Sequence, residues 1–169
     1  SGGVASASNE RSWDYAASKA FNGARDNGYG WATSDYHVPG WLQYKFNVPT
    51  RVGKYAITSR NNATYLNQSP KSWVFQGSND GTTWELLDAR DNQTGWGQYE
   101  TREFFCDNSK KFLYYRLFIS EVNGSIVIEI DELEFFNVID TSNDDVFSKD
   151  TIDFSIRLLS GGISSSDKN

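Results

Sequence analysis

The sequence predicts an all-β fold, an antiparallel sandwich of about eight core strands with one short N-terminal helix. Short segments that alternate apolar and polar residues recur along the chain, and turn residues separate them. Aromatic residues make up 15% of the 169 residues, with 6 Trp, 9 Tyr and 11 Phe. These residues are common in strands, so their abundance favours a β-sheet core or a surface that stacks on a ligand.

The individual strands follow from this alternation. In segment 41–46, Leu42, Tyr44 and Phe46 share one face, whereas segment 112–119 is apolar on both sides and is expected at the centre of a sheet. Asn79-Asp80-Gly81 predicts a hairpin, because glycine tolerates the positive φ that a tight turn requires. The segments with the strand pattern are 41–46, 54–58, 72–76, 84–88, 101–105, 112–119, 125–130 and 132–136.

The two ends of the chain differ from this pattern. Segment 15–21 is compatible with a helix that Asp14 would cap and Asn22-Gly23 would end. After Asn137 the chain becomes acidic, alternates once more over 151–158 and is then rich in Gly and Ser. We therefore divide it into a module, 1–137, and a C-terminal extension, 138–169, which is an added strand, the start of another module or a linker.

The net charge of -6 narrows the function classes. It argues against a nucleic-acid binder, which needs a basic surface to displace counterions from phosphates. It favours a cationic partner or a neutral ligand. Membrane insertion is not expected, because no run approaches the roughly 18 apolar residues of a membrane span.

Catalysis is poorly supported by the residue inventory. His37 and Cys106 are the only residues of their types, so nucleophilic triads lack members. Cys106 is expected to be a buried small apolar residue. The acidic residues of the last strands are interpreted as rim charges and one metal ligand rather than a catalytic pair. These residues are Glu129, Asp131, Glu132 and Glu134.

Five motifs follow one another in a characteristic order: Ala20–Gly23, Gly30–Ser34, Trp41–Phe46, Trp73–Trp84 and Ile130–Phe135. Together they resemble the discoidin-like family of coagulation-factor type C domains and galactose-binding-like carbohydrate-binding modules. The resemblance extends from about Ala5 to Asn137, and the motif at 73–84 is its most specific part. It implies an eight-stranded jelly-roll sandwich and a module of a larger extracellular protein. Since Cys106 cannot form the disulfide of many animal members, the chain is most similar to the bacterial, phage or viral branches.

The resemblance also implies a structural calcium ion between the loop before Trp31 and the last core strand. Calcium takes six or more oxygen ligands, many of them backbone carbonyls. Lys19 would offer its carbonyl and Glu132 its carboxylate, while Asn22 stands where relatives usually have Asp. The implied ligands are Lys19, Asn22, Asp26, Asn27 and Glu132.

For carbohydrate-binding members, the resemblance implies a sugar site on loops at one end of the sandwich. Arg60 and Asn67 match the arginine and asparagine that bind hydroxyl groups, although Arg60 is equally able to pair with a carboxylate. His37 lies in the loop where relatives place a histidine, but not at the same position. Trp96 stands between two glycines and is expected to face the ligand. The candidate site residues are Arg60, Asn67, Trp96, Tyr65, His37 and Tyr36, with Tyr29 as a further platform.

The sequence thus predicts a non-catalytic glycan-binding module with a structural calcium ion, which attaches a larger extracellular or virion-associated protein to carbohydrate. The alternative is an adhesive module that binds protein partners and has no sugar site. A third hypothesis, binding to lipid headgroups, is disfavoured by the excess of acidic over basic residues. The expected partners are glycans and other modules of a parent protein, with no nucleic acid.

Overall fold

The computed structural model describes residues 2–24 and 29–137, which form an all-β sandwich of antiparallel strands, as the alternation predicted. Asp26, Asn27 and the extension 138–169 lie outside the described residues. The strands are β1 (Val4–Ala7), β2 (Trp31–Ala32), β3 (Gly40–Thr50), β4 (Val52–Thr58), β5 (Pro70–Ser78), β6 (Glu85–Arg90), β7 (Thr101–Phe105), β8 (Phe112–Val122), β9 (Glu129–Ile130) and β10 (Glu132–Asn137).

Within the described residues the strands form two main sheets and one short ribbon. The five-stranded sheet has the order β1-β3-β8-β5-β6, and the three-stranded sheet has the order β10-β4-β7. The ribbon pairs β2 with β9. The predicted hairpin joins β5 to β6, and Gly81 adopts a φ of 74° there. This topology brings the end of β4 next to the start of β10. There the Asp131 N–H donates to the Thr58 carbonyl.

The core between the two sheets consists largely of aromatic rings. Phe75 lies at its centre and contacts Tyr55 at 4.3 Å and both Tyr115 and Phe135 at 5.6 Å between ring centroids. Tyr55 donates to Asp88 Oδ2 at 2.6 Å, so its buried hydroxyl is satisfied. Most of the aromatic residues of the β-strands therefore stabilise the sandwich.

The predicted helix is wrong in type. Its place is taken by two short 3₁₀ helices, Trp13–Tyr15 and Ala17–Phe21, and no side chain caps either of them, so Asp14 is not a cap. A third 3₁₀ helix, Ala63–Gln68, follows β4. Within the described residues, no helix combines the length and the apolar character needed to cross a bilayer.

The tryptophans divide between the core and the outer surface. Trp31 and Trp73 are buried, whereas Trp41 and Trp84 are half-buried. Trp41 alternates with the core residues of β3 and lies on the opposite face. Trp84 precedes β6, and its ring lies 3.9 Å from the guanidinium carbon of Arg116.

The last predicted strands differ in extent. Segment 125–130 contributes only Glu129 and Ile130 as a strand, whereas the strands at 4–7 and 31–32 were not predicted.

Cys106 is half-buried, and burial raises the pKa of its thiol to about 12. A thiol with this pKa is a poor nucleophile near neutral pH.

Candidate functional site

A buried ion pair lies where β4 ends. Arg60 follows β4, and Glu129 begins β9. Arg60 Nη1 lies 2.6 Å from Glu129 Oε2, and the side chains are 16% and 1% exposed. Arginine carries five N–H donors in a rigid plane, so fixing one of them orients the others. The pairing with a carboxylate, which the sequence left open, is therefore what the structure shows.

Tyrosine rings flank the Arg60 guanidinium. Nη2 of Arg60 donates to the Tyr15 hydroxyl at 3.3 Å, and the Tyr65 ring centroid lies 4.9 Å from the guanidinium carbon. Tyr29 packs edge-on against Tyr15 at 5.6 Å. Tyr65 is 42% exposed and Tyr29 is 54% exposed. The arrangement combines fixed hydrogen-bond donors with accessible rings, and we call Arg60, Glu129, Tyr15, Tyr29 and Tyr65 the loop-end site.

The electrostatics of the ion pair are unusual. Burial raises the pKa of Glu129 to about 7; Arg60 opposes this rise and Asp131 adds to it. Glu129 Oε1 is buried and has no hydrogen-bond partner among the described residues. Burial acts to lower the pKa of Arg60, but the attraction of Glu129 outweighs it and raises that pKa. Arg60 thus stays charged, while Glu129 titrates near neutral pH.

The loop that carries Tyr65 is held by local hydrogen bonds. Asn62 Oδ1 accepts from the Thr64 N–H at 3.0 Å and caps the third 3₁₀ helix. The Tyr99 N–H donates to the Arg60 carbonyl, and the Ser59 hydroxyl donates to the Gly97 carbonyl at 2.6 Å. The loop-end site therefore lies on backbone that two neighbouring loops restrain.

Trp96 does not face a ligand, and the prediction that it does is wrong. Its ring is 6% exposed, and its Nε1 donates to the Pro70 carbonyl at 2.9 Å. The guanidinium of Arg102 stacks over it, with its carbon 4.2 Å from the ring centroid. The flanking glycines let the chain fold this indole back under the junction between the third 3₁₀ helix and β5. Trp96 is thus a support for the loop-end site.

The other predicted ligand residues are placed as follows. Asn67 is exposed on the same 3₁₀ helix as Tyr65. Tyr36 is 82% exposed, and its N–H donates to the Ile126 carbonyl. The ring Nδ1 of His37 bonds to the Asp35 carbonyl oxygen at 2.8 Å. Within the described chain, no hydrogen bond or ring contact joins Tyr36 or His37 to Arg60, so the loop-end site gathers only part of the predicted set.

Glu129 and Tyr15 are residues of the loop-end site that the local sequence pattern did not indicate. Glu129 is a single carboxylate in the apolar run 126–130, and a charge in such a run is a signal for a buried, paired residue. The interpretation of the late acidic residues as rim charges is wrong, because all of them are buried. Their exposed fractions are 1% for Glu129, 2% for Asp131, 1% for Glu132 and 9% for Glu134.

The residues of the expected calcium site are partly described. Glu132 Oε1 accepts from the Gly23 N–H at 3.0 Å, so the carboxylate lies against the turn after Asn22. A Cβ at Gly30 would clash with the Ile130 carbonyl oxygen, so both ends of the loop pack on the segment that carries Glu132. Asn22 Oδ1 accepts from the Ala24 N–H at 2.7 Å. A buried carboxylate beside turn backbone is a donor set that fits calcium.

Among residues 2–24 and 29–137, no group of three or more His, Cys, Asp or Glu side chains is arranged to hold a metal ion. Calcium sites in proteins also take backbone carbonyls and Asn side chains as ligands. Asp26 and Asn27, two of the expected ligands, lie outside the described residues.

Two sequence comparisons match most of this chain. The model of the F5/8 type C domain matches residues 4–133. A peptide-N(4)-(N-acetyl-beta-glucosaminyl)asparagine amidase of Arabidopsis thaliana is 25% identical over 129 residues, which cover 71% of this chain. The match spans only 17% of that protein's length.

Solved structures with a similar fold include three sugar complexes. The Clostridium perfringens module CpGH89CBM32-5 with GalNAc-beta-1,3-galactose has a TM-score of 0.65 at 17% identity, covering 80% of this chain and 93% of that one. The family 32 module of C. perfringens NanJ with galactose has a TM-score of 0.63 at 21% identity, covering 79% of this chain and 92% of that one. The lectin domain of Lectinolysin with Lewis B antigen has a TM-score of 0.65 at 20% identity, covering 82% of this chain and 94% of that one.

Proposed function

The chain belongs to the F5/8 type C domain family, and from that premise we propose that it is a non-catalytic glycan-binding module whose ligand occupies the loop-end site. The observation that carries the proposal is the Arg60 guanidinium, fixed by Glu129 at 2.6 Å beside the exposed Tyr65 ring. A sugar presents hydroxyl edges and C–H faces, and this site offers donors for the former and a ring for the latter.

The charge of the site favours a neutral sugar. Glu129 balances Arg60, and Glu129 Oε1 has no hydrogen-bond partner among the described residues. A hydroxyl group can both accept from Arg60 and donate to a carboxylate, whereas an anionic group would meet the Glu129 charge. The sugars in the similar structures, which include galactose and GalNAc-beta-1,3-galactose, are of this neutral kind. Asn67, on the helix of Tyr65, extends the proposed site.

We also propose that the module acts by binding alone. The acidic residue nearest the Arg60 guanidinium is tied to it, and the thiol of Cys106 has a pKa raised by burial. The amidase relative is much longer than this chain, so its similarity concerns one region of that protein. In this proposal the module attaches a larger extracellular or virion-associated protein to glycans.

A structural calcium ion belongs to the same proposal. The Glu132 carboxylate, the Lys19 carbonyl and Asn22 would hold it, with Asp26 and Asn27 as further ligands. Bound calcium would supply a positive charge that ties the loop to the last strand. The buried Glu132 carboxylate, which already accepts from the Gly23 N–H, supports this assignment.

The glycan proposal is tested on an array of neutral, amino and acidic glycans with the full 169-residue chain in millimolar calcium. We expect binding to neutral glycans, lost in Arg60→Gln and retained in Lys71→Gln, whose ion pair with Glu121 lies elsewhere. A folded protein that binds no glycan, or an Arg60→Gln variant that binds normally, would contradict the proposal. In that case a protein-binding module becomes the better reading.

Calcium is tested by thermal unfolding with CaCl2, MgCl2 or EGTA. A ligand at 100 times its Kd stabilises the folded state by about 2.7 kcal/mol, so we expect the Tm to rise by several degrees with calcium. Glu132→Gln should abolish this rise, whereas Glu85→Gln, at an exposed pair with Lys110, should preserve it. Equal Tm values in calcium and EGTA would remove calcium from the proposal and leave the glycan site standing.

A further inference from the structure

The outer face of the five-stranded sheet carries a second set of polar and aromatic side chains. On β8, Tyr115, Leu117 and Ile119 face the core, so Tyr114, Arg116 and Phe118 lie on the opposite face. These three are half-buried. They line the central strand of the sheet, since β8 pairs with both β3 and β5.

A polar row crosses the sheet at Arg116. Gln43 of β3 and Gln76 of β5 are its direct partners in the two strand pairings. Arg116 Nε donates to Gln76 Oε1 at 2.8 Å, and Gln43 Nε2 donates to Ser6 Oγ at 3.2 Å. Neither Nη atom of Arg116 has an acceptor among the described residues. The row therefore presents free donors at the middle of the sheet.

Aromatic rings border this row on both sides. Trp84 covers the Arg116 guanidinium at 3.9 Å, and its ring lies edge-on to Tyr114 at 6.5 Å. On the other side Phe118 lies directly opposite Trp41 in the β3–β8 pairing. From Tyr114 to Phe118 the strand rises roughly 13 Å. The face thus alternates rings and hydrogen-bonding groups along one direction, which suits an extended ligand with several sugar rings.

The charge of this face distinguishes it from the rest of the surface. Arg60, Arg90 and Arg102 each pair with a carboxylate. In contrast, no described carboxylate lies within ion-pair distance of Arg116 or of Lys45, whose Nζ lies 5.3 Å from the Tyr114 centroid. Burial lowers the pKa of Arg116, in keeping with a cation that lacks a partner. Two uncompensated cations on one face of a chain with net charge -6 complement an anion.

We propose that this outer face binds an acidic polysaccharide, whose uronate carboxylates pair with Arg116 and Lys45 while its sugar rings lie along Trp84, Tyr114, Phe118 and Trp41. A carboxylate fits the guanidinium fork through the two Nη groups that Gln76 leaves free. The amides of Gln43 and Gln76 meet the neighbouring hydroxyls. This surface is separate from the loop-end site.

Affinity electrophoresis of the full chain tests the proposal, with polygalacturonate as the ligand and its methyl-esterified form as the uncharged comparison. We expect retardation by polygalacturonate and at least tenfold weaker retardation by the ester. Arg116→Gln should lower the affinity at least tenfold and Lys45→Gln about threefold. Lys71→Gln removes the same charge from an ion pair with Glu121 and should stay within twofold.

Several results would overturn the assignment. No retardation of the wild type, equal retardation by acid and ester, or equal losses for the Arg116→Gln and Lys71→Gln variants would each do so. If Tyr65→Ala abolishes binding, the acid binds at the loop end instead. Circular dichroism controls for folding; should Arg116→Gln fail to fold, unchanged affinity in both Lys45→Gln and Arg116→Lys would exclude the site. Failure here leaves the glycan proposal for the loop end unaffected.

Discussion

Arg60 and Arg116 lie on two surfaces of one sandwich and differ in what compensates their charge. Arg60 is paired with Glu129, which is 1% exposed, whereas Arg116 is covered by the Trp84 ring and has no carboxylate partner among the described residues. At Arg60 the two charges balance and the N–H donors have a fixed orientation. Arg116, on the face of the sheet, presents a positive charge that no described carboxylate balances. The same residue type is therefore suited to sugar hydroxyls in one place and to a sugar carboxylate in the other.

The largest effect is expected from the tryptophans that support these surfaces. Trp96→Ala should lower the free energy of unfolding by about 4 kcal/mol, because it removes a buried indole and leaves a cavity. Trp84→Ala, at a half-buried ring, should cost about 1 kcal/mol. Urea unfolding measures both. Trp96→Phe serves as the control, since it keeps most of the packing and loses one hydrogen bond of about 1 kcal/mol. Similar losses at the two tryptophans would mean that Trp96 is not a buried support.

The next largest difference in stability is expected between substitutions of the two arginines. Arg60→Leu should lower the free energy of unfolding by about 3 kcal/mol at pH 8, because it leaves the Glu129 carboxylate buried without its partner. Arg116→Leu strands no buried carboxylate and should cost about 1 kcal/mol or less. Chemical denaturation of the double variant Arg60→Leu/Glu129→Leu should show most of the loss recovered. A double variant as unstable as Arg60→Leu alone would show that the ion pair is not the cause.

Local patterns predicted much of the fold but little of the loop-end site. The alternation in 41–46 and the Asn79-Asp80-Gly81 turn depend on neighbouring residues, and both match β3 and the β5–β6 hairpin. The prediction for Trp96 was wrong because its indole donates a hydrogen bond to the carbonyl of Pro70, which lies 26 positions earlier in the chain. The partner of Arg60 is 69 positions later in the chain. Pairings of this range are set by the sheet topology, which local sequence patterns do not contain.

A smaller effect on binding, with almost none on stability, is expected at Tyr65. Tyr65→Ala should weaken binding of a neutral glycan about tenfold, close to 1.4 kcal/mol, by removing the ring beside Arg60. Because Tyr65 is 42% exposed, its loss should change the stability by no more than about 0.5 kcal/mol. Isothermal titration calorimetry with an array-selected glycan measures the affinity. Tyr114→Ala on the sheet face is the matched control and should leave this affinity unchanged; a larger loss there would relocate the sugar site.

The remaining difference is a pH dependence of stability that only the paired arginine should produce. Burial raises the pKa of Glu129 to about 7 from an ordinary value of 4.5, with Asp131 raising it further and Arg60 and Arg11 lowering it. Between these two values the folded state keeps a proton that the unfolded chain releases, so the Glu129 contribution to stability falls as the pH rises. The slope is at most roughly 1.4 kcal/mol per pH unit, and it is confined to the interval between these two pKa values.

Glu129→Gln should remove this slope, because an amide does not titrate, whereas Arg116→Gln should leave it in place, because no described carboxylate lies within ion-pair distance of Arg116. Denaturant midpoints at pH 5 and pH 7.5 and constant ionic strength measure the difference between the variants. Parallel profiles for the wild type and Glu129→Gln would show that Glu129 ionises normally in the folded protein. The attraction of Arg60 would then offset the effect of burial on this pKa completely.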